Sequence, residues 1–214
     1  MPDLVASELS TLERYMLMTS TIVPRPIAWV TSMDADGRLN LAPFSFFQGV
    51  SAKPPLVSVS VSRKRSGEPK DTWANIEATK EFVIHSVDEA HAHVMVETSA
   101  EVEHGEDEAA MVGLKTVTSD LVQVPRLADA PVAMECRLVE IYTPAGDAVG
   151  LIVGEVLKWH VRDGFLKEGP RGSRIIDVHK LRPLSRLGGK EYAPVREVFE
   201  MQRPSAEDRS GRSA

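Results

Sequence analysis

Residues 27–62 read IAWVTSMDADGRLNLAPFSFFQGVSAKPPLVSVSVS, and the order of strand and turn signals within them decides the fold. Ile27 to Met33 is rich in β-branched and aromatic residues, and Asp34-Ala35-Asp36-Gly37 supplies the turn chemistry to reverse the chain. A hairpin is expected, its second arm starting near Arg38 and running through NLAPFSFF. Lys53-Pro54-Pro55 then stops the ladder, because two successive prolines donate no backbone hydrogen bond. Leu56 to Ser62 alternates, with Val57, Val59 and Val61 on one face and Ser58, Ser60 and Ser62 on the other. The valine face belongs to a core; the serine face either meets water or lines something polar.

Outward from this stretch the signals continue in short units. Trp73, Ile76 and Lys80 recur at helical spacing, predicting a helix over 72–79 capped by Asp71 or Thr72. Glu81 to Val87 reads as a strand and Asp88 to Thr98 as a helix started by Asp88. Six Glu and Asp between Glu97 and Glu108 read as a solvated helix surface or loop. Pro125 and Pro131 bracket a turn. Residues 132–142 and 150–161 form two long strands joined by Pro144-Ala145-Gly146-Asp147, a second hairpin. Arg174 to Val178 adds a short strand, Leu187-Gly188-Gly189 a loop, and a polar tail from Gln202 to Ala214 is expected to be disordered. Strands outnumber helices, and several loops are too short for a helical crossover. The fold expected is therefore mainly β: one domain over 1–201, with an antiparallel sheet closing into a barrel and two or three short helices. No Gly-x-Gly-x-x-Gly stands between a strand and a helix, so the usual dinucleotide-binding fold lacks its fingerprint.

Composition narrows the function. With 214 residues, 43% hydrophobic and 26% charged, the chain has the make-up of a globular protein able to bury a core and a small-molecule pocket. Cys136 is the only cysteine, which rules out an intramolecular disulfide or a cysteine metal cluster and fits a cytoplasmic location. Neither a secretory leader nor a run of roughly 20 apolar residues is read, so no membrane partner is expected. Twenty-five Lys and Arg against 31 Asp and Glu leave a net charge of −6, which gives nucleic acid little electrostatic attraction.

Two segments carry the material for a ligand site. Asn40 to Ser51, NLAPFSFFQGVS, combines Pro43, three Phe and two Ser: free backbone N–H groups, flat apolar surface and hydroxyls, the parts that hold a planar polar ring. SRKRSGEPKDT, residues 62–72, places Ser62, Arg63 and Lys70 to Thr72 before a helix, and a helix N-terminus beside cations suits a phosphate. Against this, phenylalanines are more often core, and a basic loop is more often a solvated turn. Alternation sends at least one of Phe46 and Phe47 away from any ligand, Arg25 could pair with a surface carboxylate, and Asn75 faces solvent or bonds locally. The six histidines show no ligand spacing, so no metal is expected. His85 and His160 read as sheet residues, and Cys136 as a small buried residue without nucleophilic character.

Together these motifs reach a pattern. Pro24-Arg25-Pro26-Ile27-Ala28-Trp29-Val30, Asp36-Gly37, Asn40 to Phe47, Ser51, Pro54-Pro55 and Lys70-Asp71-Thr72 with Asn75-Ile76 resemble the flavin reductase-like, FMN-binding split-barrel family. The likeness continues more weakly through Ala130-Pro131-Val132, Glu135-Cys136, Gly154-Glu155-Val156 with His160, and Arg186-Leu187-Gly188-Gly189 with Tyr192. The resemblance implies a six-stranded Greek-key split barrel and a homodimer with FMN near the subunit interface, FAD being the alternative flavin. Ser45, Phe46, Phe47 and Gln48 would wrap the ring and ribityl chain. Ser51, Ser62, Arg63, Lys70 and Thr72 would hold the phosphate, and Asn40 and Arg25 would sit at the ring edge or behind it. His160 and Tyr192 would approach from late in the chain. The chemistry implied is hydride transfer from NAD(P)H to flavin with no catalytic side chain, possible downstream partners being a monooxygenase or another redox protein. The rival readings are an electron-transfer module reduced by a protein partner, and a barrel for another ligand such as haem.

Overall fold

The computed structural model describes residues 3–144 and 146–202. Of the expected polar tail only Gln202 falls within them, and Ala145 of the second hairpin lies outside the described residues. Seven strands form the main sheet: β1 (Ala28–Met33), β2 (Leu39–Phe44), β3 (Phe47–Ala52), β4 (Pro55–Ser62), β5 (Glu81–Ser86), β6 (Val132–Tyr142) and β7 (Val149–Val161). Their order across the sheet is β2-β1-β5-β6-β7-β4-β3, and each neighbouring pair is antiparallel.

The two edge strands of this seven-stranded sheet, β2 and β3, are consecutive in the chain, with only Ser45 and Phe46 between them. Laid flat, six inter-strand gaps of about 4.8 Å would part the edges by about 29 Å, whereas three residue steps reach about 10 Å. The sheet must therefore curl until its edges meet. No ladder joins β2 to β3, so the barrel closes through the chain and stays open in its hydrogen bonding. This is the mainly antiparallel split barrel expected, with one difference: seven strands where the resemblance implied six. The run read as one hairpin arm breaks at Ser45-Phe46 into two strands that leave in different directions.

Alternation builds the core. Val57, Val59 and Val61 point inward with Ala28, Val30, Phe82, Ile84, Cys136 and Ile152. Ile27, Trp29, Leu39 and Leu41 point to the other face, where Met95, Ala109, Leu127 and Leu184 cover them. Both faces of β1 are buried, so its sequence does not alternate, and the polar Thr31 and Ser32 are buried with the rest. Of the serine face of β4, Ser58 is buried and Ser62 exposed.

Helix α1 (Thr11–Thr21) has a complete capping box, Ser10 with Glu13. Among its residues only Thr19 is buried. Helix α2 (Asp71–Thr79) starts one residue earlier than expected. Its N-cap is Lys70, which offers no side-chain cap, so the expected capping by Asp71 or Thr72 is corrected: both side chains bond elsewhere. Asp88 does start a helical segment, accepting from the His91 N–H at 3.1 Å, but the segment splits into a 3₁₀ turn (Glu89–His91) and α3 (Ala92–Glu97). The strand expected over 174–178 is shorter, Arg174–Ile176, because Val178 opens a helical turn capped by Asp177. A small sheet of Arg25–Pro26, Leu184–Arg186 and Tyr192–Pro194 brings the late chain to the start of β1.

Candidate functional site

Beside the seam, the irregular end of β2 faces the start of α2 across a cavity of about 380 Å³, within the range of small-molecule sites. Its walls are Asn40, Ala42, Pro43 and Phe44 from β2, the turn Lys64 to Ser66, Lys70 to Thr72, the segment Thr98 to Val102, and Glu108. Pro43 has no N–H to give and Phe44 is the last paired residue, so the strand presents flat apolar surface here. On the opposite wall α2 opens without a side-chain cap, leaving its first-turn N–H groups and positive dipole end toward an anion.

The charges here fall into two groups. Asp71 is held by Lys64 Nζ at 2.7 Å and by His104 Nδ1 at 2.9 Å. Burial pushes its carboxyl up, but these two partners outweigh it and hold it below the usual range, so it is ionised and already neutralised. Lys70 and Arg65, by contrast, make no ion pair among the described residues. Thr72 is buried, and its Oγ1 accepts from Asn40 Nδ2 at 2.9 Å. That bond fills an acceptor position and leaves the Thr72 hydroxyl proton for a ligand. Behind it Asn40 and Asn75 both donate to Ser32 Oγ, at 3.3 Å each. Asn75 is therefore buried in a polar chain, correcting the expectation that it faces solvent or bonds locally. The acidic run 97–108 is also not all solvated surface: Glu108 is buried, accepts from the Leu41 N–H at 2.8 Å, and burial raises its carboxyl.

A second, smaller cavity of about 80 Å³ shares Pro43, Phe44 and Ser99 with the first and adds Ser45, Met95, Arg186 and Tyr192. The two make one groove: cations and a helix start at one end, apolar surface in the middle, Ser45 and Tyr192 at the other. Asn40, Ser45, Lys70, Thr72 and Tyr192, named from sequence, line it together. Arg25 lies behind Ser45, its Nε 3.4 Å from Ser45 Oγ and its guanidinium 5.7 Å from the Phe46 ring. It meets main-chain carbonyls and no surface carboxylate, correcting the bland reading of that residue. Phe46 is exposed while Phe47 packs against the barrel core, the divergence that alternation requires.

The remaining candidates stand apart from both cavities. Gln48 and Ser51 are exposed on edge strand β3, Ser51 accepting from the Lys53 N–H at 3.1 Å. Ser62 is exposed at the end of β4. Arg63 stacks 4.8 Å over the Trp73 ring and bonds the carbonyls of Gly67 and Asp147. His160 is on β7, bonded through Nε2 to Glu135. There the described residues bring together Asp120, Glu135 and His160 with ligand atoms within 4.8 Å of one another. No sequence spacing announced this set, whose members come from a loop and two strands. Glu135 is wholly buried and its oxygens already accept from the N–H groups of Asp120 (2.8 Å) and Leu121 (2.6 Å) and from His160. Burial pushes the Glu135 carboxyl up, but these donors prevail and hold it low. Cys136 beside it is buried with its thiol pushed up, the inert residue expected.

Comparison with known proteins agrees with this fold. The flavin reductase-like domain family matches residues 18–175. Nitrilotriacetate monooxygenase component B of Bacillus cereus is 38% identical, with TM-score 0.86 over 94% of this chain and 98% of that one. The 2-nitrobenzoate 2-nitroreductase of Pseudomonas fluorescens is 31% identical, with TM-score 0.85 over 96% and 98%. An uncharacterised protein of Bacillus subtilis is 39% identical over 94% of this chain and 98% of its own length. With its split barrel, its groove at the seam and these likenesses, the chain belongs to the flavin reductase-like domain family.

Proposed function

We propose that the larger cavity of the groove, with Ser45 at its edge, binds FMN and that the chain is an NAD(P)H-dependent flavin oxidoreductase of one domain, acting as a homodimer in the cytoplasm. The observation that carries this reading is the end of the groove where Lys70 and Arg65 have no ion partner among the described residues and α2 opens uncapped beside the free Thr72 proton. That set suits a phosphate dianion, and the flat Pro43-Phe44 wall beside it suits a planar ring. Bound flavin would supply the two-electron chemistry, taking hydride from a nicotinamide. The chain's part is to bind and orient. Lys70, Thr72 and the first-turn N–H groups anchor the phosphate. Asn40 fixes Thr72, while Pro43, Phe44 and Ser45 set the plane of the ring and exclude water from one side of it. Ser51, Ser62, Arg63, Gln48 and His160 would reach the cofactor only where a second copy of the chain, or a ligand longer than the groove, extends the site.

The likeness to a monooxygenase component and to a nitroreductase supports flavin chemistry with a second substrate. Exposed Leu12, Tyr15 and Met16 on α1, and Phe46 and Val50 near the seam, support a second copy packing there. Among the described residues no helix is long and apolar enough to cross a membrane. The test is an absorption spectrum of the chain with FMN, before and after NADH or NADPH. A flavin band that shifts on binding and bleaches with a nicotinamide is expected. A bound flavin that neither nicotinamide reduces would replace this reading with a module reduced by a protein partner, and failure to bind FMN would end it.

A further inference from the structure

The small cavity is lined at one end by Arg186, which stands against a second arginine. Arg25 and Arg186 stand directly opposite each other in the antiparallel pairing of Arg25–Pro26 with Leu184–Arg186. Like charges in that position repel, and burial adds to the cost, since Arg25 is only 5% exposed. Among the described residues neither makes an ion pair with a carboxylate. Arg25 is held instead by the carbonyls of Thr19, Ile22 (2.7 Å) and Leu187 (2.8 Å), which satisfy its N–H groups without cancelling its charge. Burial first, and the Arg186 charge second, draw its pKa downward, the mark of a cation without a counter-ion.

Arg186 is arranged differently. It stacks 4.5 Å from the Tyr192 ring centroid and donates to the Tyr192 hydroxyl and the Gly189 carbonyl. A guanidinium has five N–H donors, so three of Arg186 have no partner among the described residues. The side chain lines the cavity beside Ser45, Ser99 and the apolar Ile27 and Met95. It is a fork fixed by neutral groups, with a second positive charge behind it and room in front for a few atoms. A guanidinium fork matches the two oxygens of a carboxylate, and about 80 Å³ between apolar walls admits such a group on a small planar molecule.

We propose that Arg186, backed by Arg25 and oriented by Tyr192, anchors the carboxylate of a small planar second substrate beside the flavin site. The inference rests on the flavin reading for the substrate's role, but the anion site itself is testable without it. Benzoate and its neutral isostere benzamide are titrated into the full chain, with and without FMN, by calorimetry and by perturbation of the flavin spectrum. Benzoate is expected to bind at least tenfold more tightly than benzamide. Arg186→Gln should erase that preference while FMN affinity stays within threefold. Arg186→Lys, which keeps the charge and loses the fork, should weaken benzoate at least threefold and serves as the test should the glutamine variant not fold. Equal binding of the two probes, binding of neither, or a preference that survives both variants would overturn the proposal. So would joint loss of benzoate and FMN in Arg186→Gln, which would assign the arginine to the cofactor. If the chain takes up no FMN, the flavin reading fails, and the calorimetric comparison on the FMN-free protein still decides the anion site.

Discussion

Glu135 and Lys70 are both charged residues beside the same sheet, and their surroundings are opposite. Glu135 is enclosed, and its oxygens are bonded by two backbone N–H groups and His160. Lys70 opens a helix next to Arg65 and makes no ion pair among the described residues. Where every charge finds its partner within the chain, the arrangement is part of the fold. Where cations and helix donors converge with no carboxylate paired to them among the described residues, the arrangement is open to a ligand. The same distinction separates Asp71, matched by Lys64 and His104, from the free Thr72 proton next to it.

Removing the enclosed charge should have the largest effect. Glu135→Ala strands His160 and two backbone donors, and should lower unfolding stability by about 3–5 kcal/mol, measured by urea denaturation. The next effect is on pH. His85 is wholly buried, its Nε2 accepting from the Leu127 N–H at 3.0 Å, and burial lowers its pKa from 6.5 to about 4. A folded pKa below the unfolded one means the unfolded chain takes up the proton first. The His85 contribution is therefore complete above about pH 6.5 and lost as pH falls toward about 4, up to about 3 kcal/mol in all. NMR titration of the His85 ring should give a midpoint near 4; a midpoint near 6.5 would mean the imidazole is not enclosed.

At the open end the ranking reverses. Lys70→Ala should change stability by less than about 0.5 kcal/mol while weakening FMN binding roughly tenfold to a hundredfold, the worth of a charge-assisted phosphate contact. Fluorescence quenching of the flavin measures it, and an FMN affinity untouched by this variant would sink the phosphate assignment. Thr72→Val should cost about 1 kcal/mol in each property, because Thr72 faces both ways: it accepts from Asn40 inside and keeps a proton for the groove. Smallest of all, Leu17→Ser on exposed α1 should leave monomer stability within about 0.5 kcal/mol and shift the sedimentation profile toward monomer if that helix meets a second copy.

The fold was legible where burial and spacing act locally. The β4 valines, the Asp34–Gly37 turn and the long second hairpin could each be read from neighbours in sequence, because alternation and turn chemistry are short-range. The break at Ser45-Phe46 was not, since nothing local distinguishes a strand that bends from one that changes partners. At the candidate site, Asn40, Lys70 and Thr72 were named by motif, and the structure places them along one cavity and joins Asn40 to Thr72 by a buried hydrogen bond. Glu108 was passed over because a single buried carboxylate in an acidic run looks like its solvated neighbours. The Asp120, Glu135 and His160 set, like the Arg25 and Arg186 pair, depends on strand pairing across long sequence distances. Register, absent from any linear pattern, decides both.

The two-residue bridge between β2 and β3 has a consequence for how the groove meets its occupant. The wall that ends at Ser45 is tied through Phe46 to the ladder of β3 and cannot move outward without pulling a strand from its partner. On that side the groove is set before anything enters it, and little ordering entropy remains to be lost there on association. Its selectivity should then resemble that of a mould, rejecting a bulkier ring outright where a flexible pocket would accept it at reduced affinity.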